Sequence, residues 1–206
     1  MHTHADAKAA VHKPEPAHHT SSGHAHVGVP DAPGSLITAI GGSATAVGDS
    51  TAAIGFIENF VQSKGNVSIA MGEAIFQASA HSAETGGALA AASTFVEVSG
   101  ADIIFEYESV QSNQGLHDAW AASELDYFAI DIHGWSPRHG PIVIQVQQAF
   151  DHHDQPFALE ASYGNFAQVF AAAEAHGANA LSATFTNALT IENNFSFVNA
   201  VGIVAL

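Results

Sequence analysis

The sequence predicts a mainly β protein. A single β-rich domain is expected over residues 35–206, built as a β-roll, a solenoid or a sandwich, with one or two short helices and a disordered tail over residues 1–34. Three observations carry that expectation. Between Ala39 and Asn59, Gly41, Gly48 and Gly55 recur at seven-residue spacing behind Ile40, Val47 and Ile54. Over residues 101–110, Glu106 and Glu108 alternate with Phe105 and Tyr107, the period of two that a strand with distinct faces produces. The first 34 residues hold seven of the 14 histidines and four of the seven prolines, with almost no large apolar side chain. Such a segment buries too little surface to offset the entropy of ordering it. With 206 residues the chain has length for one sizeable core, and 13 phenylalanines give that core bulk among its many alanines.

Taken in order, the tail comes first, and its His2, His4, His12, His18, His19, His24 and His26 include His-x-His and His-His pairs. Imidazoles at these spacings share Zn²⁺, Cu²⁺ or Ni²⁺, and they titrate near pH ~6.5. The glycine-punctuated units follow. A glycine at every seventh position costs a helix up to about 1 kcal/mol each, so short strands are preferred there. Ala39–Gly55, AIGGSATAVGDSTAAIG, resembles the head repeats of trimeric autotransporter adhesins. The resemblance implies rungs of a left-handed parallel β-roll, with Ile40, Val47 and Ile54 pointing inward and the three glycines at turns. A weaker echo stands at Ser68–Gly72.

Phe56–Ser63 is expected as a helical turn, closed by the Lys64-Gly65-Asn66 turn signal. Residues 66–82 alternate again. Two strands, 88–98 and 101–110, flank Ser99-Gly100-Ala101-Asp102 and are expected to form a hairpin. Residues 111–126 are expected as a loop or short helix. Strands at 125–133 and 141–147 are joined by turn formers, and 150–157 reads as a polar loop. Tyr163–His176, ending before Gly177, has the pattern of an amphipathic helix. Alternating strands complete the chain. The terminal FSFVNAVGIVAL is read either as a final core strand or as a hydrophobic export address, which it resembles in proteins leaving by type I secretion.

Charge narrows the partners. Four Lys and Arg residues against 20 acids give a formal net charge of −16. Phosphate contacts need cationic side chains, so nucleic acid and anionic membranes are excluded as expected partners. No apolar run approaches the roughly 18 residues of a bilayer-spanning helix, so no transmembrane segment is expected. Residues 1–34 contain no apolar stretch of the kind found in a secretory signal. The absence of cysteine excludes disulfides, thiolate metal sites and cysteine nucleophiles.

Candidate chemistry centres on Asp131, His133, His139, Asp151, His152, His153 and Asp154. If the strands on either side of 134–140 pair, Asp131 and His133 share a face near the His152-His153 stretch, and imidazole with carboxylate suits Zn²⁺. The metal-ligating set read from sequence is therefore Asp131, His133, His139, His152, His153 and Asp154, with His2, His4, His24 and His26 of the tail. Zn²⁺, Cu²⁺ or Ca²⁺ are the ions considered, and no cofactor is required. No nucleophile elbow, P-loop or dinucleotide fingerprint is present. The expectation is an exported structural, adhesive or self-assembling protein at the cell surface or outside the cell, forming a homo-oligomer or polymer. The alternatives are an extracellular protein binding a metal or a metal-containing ligand, a small hydrolase with an unrecognised site, and a cytoplasmic location.

Overall fold

The computed structural model describes residues 35–135, 137, 140–150 and 164–206. They form ten strands: β1 (Ile37–Val47), β2 (Ser50–Lys64), β3 (Val67–His81), β4 (Leu89–Ser99), β5 (Ile103–Gln114), β6 (Asp118–Ile132), β7 (Ile142–Phe150), β8 (Asn165–His176), β9 (Leu181–Ile191) and β10 (Phe195–Ala205). A four-stranded sheet in the order β4-β1-β10-β9 packs on a six-stranded sheet in the order β7-β5-β6-β3-β2-β8. The smaller sheet is antiparallel throughout. In the larger one the two edge strands, β7 and β8, run parallel to their neighbours β5 and β2, and the inner four pair antiparallel. The fold is a sandwich.

Alternation along the strands decides which side chains enter the core. In β1 the even positions Thr38, Ile40, Ala44 and Ala46 are buried, and in β6 the odd positions Leu125, Tyr127 and Ala129 are. Alanine supplies much of the inner surface, and the bulk comes from Leu36, Ile40, Ile57, Val61, Phe76, Val198 and Val204, all fully buried. Phe76 of β3 reaches across to β1, where its ring lies against the Cα of Gly42. On its own sheet it lies against Gly55 of β2.

Several expectations are corrected. No helix occurs among the described residues. Phe56–Ser63 is the middle of β2, and the described part of 163–176 is β8. Both segments carry Gln and Glu, and 163–176 is also rich in Ala, but strand pairing buries Ala167, Val169, Ala171, Ala173 and Ala175 along one face, and tertiary context overrides propensity. Residues 111–126 divide between β5 and β6 around a turn in which Gly115 N–H donates to the Asp118 carbonyl at 2.7 Å. Strands β4 and β5 are not a hairpin: the 99–102 turn is a corner carrying the chain from one sheet to the other. Nor do β6 and β7 pair, because β5 lies between them.

The glycine-punctuated units are not consecutive rungs of a roll. Ile40 is buried in β1, Val47 ends that strand on its opposite face, and Ile54 lies in β2 of the other sheet, half-buried on the outer side. Of the two readings of the C-terminal stretch, the core strand is observed, since β10 sits between β1 and β9.

The two lateral sides of the sandwich differ. On one side the edges β8 and β9 touch and close the layers together. On the other, β4 lies over β6, and β5 and β7 extend past it with no strand of the smaller sheet above β7 among the described residues.

Candidate functional site

The outer face of the six-stranded sheet can be read row by row from the register. One row opposes Glu58 of β2 to Glu73 of β3, and Glu73 to Asp126 of β6. Beside it runs an apolar row of Phe60, Met71, Phe128, Phe105 and Ile144, continuing in Ile69, Ile130, Ile103 and Ile142. Glu58, Phe60, Met71, Glu73, Asp126 and Glu174 surround a depression of about 460 Å³ whose floor is the backbone of Asn59, Gly72 and Tyr127.

Like charges directly opposite one another destabilise a sheet. Here the carboxylates are also partly desolvated by the sheet they stand on. Burial raises the Glu73 carboxyl above the usual range, and Asp126, Glu124 and Glu58 push it further. Burial and then Asp126 raise Glu124, and burial raises Asp126. Each of these groups holds its proton more tightly in the fold than in the open chain, so folding takes up protons as pH falls from neutrality. Stability is expected to rise as pH falls through the folded-state values, and this gain levels off below the ordinary carboxylate range. Glu73→Gln removes the charge opposed on both sides, and it should raise stability at pH ~7 by about 0.5–1 kcal/mol. The gain, read as a shift of the thermal midpoint, should shrink toward pH ~4.5; an undiminished shift would show that charge is not its origin.

Beneath the depression the inward side chains form a polar network between the sheets. Tyr127 Oη donates to Asn59 Oδ1 at 2.5 Å, Thr38 Oγ1 lies 2.6 Å from Tyr127 Oη, and Asn59 Nδ2 donates to the Gly202 carbonyl at 2.9 Å. Burial pushes the Tyr127 hydroxyl well above the usual phenol range, and the bond to Thr38 offsets part of that shift. The phenol serves as a buried hydrogen-bonding group between the two sheets. No known protein family, curated protein or solved structure matches the chain.

Of the residues singled out in the sequence, Asp131 and His133 lie together at the end of β6. Asp131 is 7% exposed, its Oδ2 stands 3.2 Å from His133 Nε2, and His133 Nε2 lies 3.3 Å from Ser68 Oγ. Burial raises the Asp131 carboxyl, His133 lowers it and Asp102 raises it. Asp102 itself is engaged in structure: its Oδ2 accepts from Ile132 N–H at 2.7 Å and its carbonyl from Ile142 N–H at 2.9 Å, tying β6 and β7 to the corner. Among the described residues no group of three or more His, Asp and Glu side chains is placed to hold a metal ion. His139, Asp151, His152, His153, Asp154 and the tail residues His2, His4, His24 and His26 lie outside the described residues.

Glu106 and Glu108 share one face of β5, as their alternation predicts. Gln145 Nε2 and Gln147 Nε2 of β7 donate to them at 2.5 and 3.1 Å. Reading Phe56–Ser63 as a helix hid Glu58, and with it the acidic row, whose signal is the alternation of Ile54, Phe56, Glu58 and Phe60 along β2.

Proposed function

We propose that the protein is an exported structural subunit that self-assembles through the open side of its sandwich, as part of a surface or matrix filament. The observation that carries this reading is β7. It pairs with β5, and its other side has no neighbour in the sheet among the described residues. Ile142, Val143, Ile144 and Val146 on it are 46–50% exposed, and Ile142–Phe150 contains no charged residue. A long, uncharged, apolar edge strand is a template for another chain, and monomeric proteins blunt such edges with Lys, Pro or a bulge. The outer face of the smaller sheet adds apolar surface at the other margin, where Leu181, Phe185, Leu189 and Ile191 of β9 are exposed. A formal charge of −16 slows indiscriminate collapse and leaves ordered contacts favoured.

Size-exclusion chromatography with light scattering and negative-stain microscopy, with and without Zn²⁺ or Ca²⁺, tests the reading. Ordered polymers are expected from the full chain. Ile144→Lys combined with Val146→Lys should reduce polymer mass about tenfold or more by placing charges on the edge. A wild-type chain that remains monomeric under all these conditions overturns the proposal.

A further inference from the structure

The unequal sheets leave a shelf. Beyond β4, the inner faces of β5 and β7 present Glu106, Glu108 and Val110 beside Val143, Gln145 and Gln147, and among the described residues the smaller sheet has no strand to cover β7. β4 ends that sheet, so among the described residues no further strand pairs with its outer edge, where Gln114 Nε2 donates to the Ala90 carbonyl at 2.7 Å near the start of the strand. A strand added there would lie face to face with the shelf, about 10 Å away, and every second side chain would meet it. Glu106 and Glu108 are its titratable groups. β4 turns Thr94, Val96 and Val98 inward and Glu97 to the opposite face, and β6 adds Leu125 and Tyr127.

A complementary strand therefore needs hydrogen-bond donors or cations at two-residue spacing, with an apolar alternate face and no proline. Outside the ten strands, one segment fits that description best. In Gly23–Val29, GHAHVGV, His24 and His26 alternate with Ala25, Val27 and Val29, and Pro30 then ends any strand because it lacks an N–H. His2 and His4 share the spacing but are not followed by β-forming residues. Residues 1–34 also carry the complementary charge. Lys8, Lys13 and seven histidines stand against Asp6, Glu15 and Asp31, so the segment becomes cationic as its imidazoles protonate below pH ~6.5, while the rest of the chain is strongly acidic.

We propose that Gly23–Val29 of one copy adds as a fifth strand to the open edge of β4 in another, with His24 and His26 facing Glu106 and Glu108 across the shelf. The contact combines backbone hydrogen bonds for affinity with alternate side chains for register, the mode of β-strand addition. It rests on the self-assembly reading and adds, on the same open side, a contact at β4 to the one at the β7 edge. Assembly then strengthens as pH falls through the histidine range, where the imidazoles of the segment gain charge.

The test uses full-length protein between pH ~5.5 and ~8, following polymer mass by light scattering and backbone protection of β4 by hydrogen exchange. Wild type should gain polymer mass below pH ~6.5, with slowed exchange along β4. Val27→Pro, which removes an N–H from the segment and alters none of the ten strands, should cut polymer mass about tenfold or more and return β4 to fast exchange. His24→Gln with His26→Gln should abolish the pH step. If Val27→Pro polymerises like wild type with β4 unprotected, this contact is wrong and assembly proceeds by another edge. Protected β4 amides in a protein that stays monomeric would equally overturn donation between copies. A wild-type chain that never polymerises removes both this contact and the proposed function.

Discussion

Phe76→Ala is expected to lower the unfolding free energy by about 3–5 kcal/mol, toward the top of the range for truncating a buried aromatic. The ring is fully buried and occupies space that two glycines provide. A Cβ at Gly42 would stand 2.5 Å from its Cδ2, and one at Gly55 2.7 Å from its Cε1. Glycine has no side chain to rearrange into the void, and the surrounding alanines have no rotamers to turn, so the cavity stays. Urea unfolding should show a lower midpoint at an unchanged slope, and the thermal midpoint should fall by about 10 °C or more. A loss below about 1.5 kcal/mol would mean that the sheets close over the gap, and that the aromatic-on-glycine contact does not set their separation.

The second large effect is expected at Asn59. Asn59→Leu fills nearly the same volume but strips the acceptor from Tyr127 and the donor from the Gly202 carbonyl, both in the buried interior. Each unsatisfied buried group costs about 1–3 kcal/mol, so a loss of roughly 2–4 kcal/mol is predicted. Tyr127→Phe should cost less, since Thr38 Oγ1 and Asn59 Oδ1 remain 3.2 Å apart and satisfy one another. Chemical denaturation of the two single variants and the double variant measures the coupling. Strict additivity would show that Asn59 and Tyr127 do not act as one network.

How far these features could be read in advance follows from the side chains concerned. The β class was legible because alternation at Phe105–Glu108 and the recurrent glycines disfavour helix. The strand identity of β8 was not: Asn165–His176 is rich in Ala with Gln and Glu, and its helix propensity is overruled by pairing with β2. Pairing partners were also beyond reach, because hairpin signals describe neighbours in sequence. The 99–102 turn joins different sheets, and β5 takes β7 as a parallel partner on the side away from β6. For the candidate site, the shared face of Glu106 and Glu108 was visible from spacing alone. The acidic row needed the register of three strands, which no local pattern contains. Asp131 and His133 do meet, through the two-residue period of one strand and its turn.

The placement of β10 has a kinetic consequence. The centre of the smaller sheet is the pairing of β1 with β10, Ile37 against Ala205 through Val47 against Phe195, so the first and last strands depend on each other. Loop closure over such a separation is slow, and contacts of this range delay the transition state. On a ribosome, β1 would wait for residue 205 before its central neighbour existed, while β2 and β3 could already form their hairpin. The emerging chain would thus carry β1 with β4 alone beside it until β10 appears, and completion of the sandwich would be a late, concerted event timed by β10.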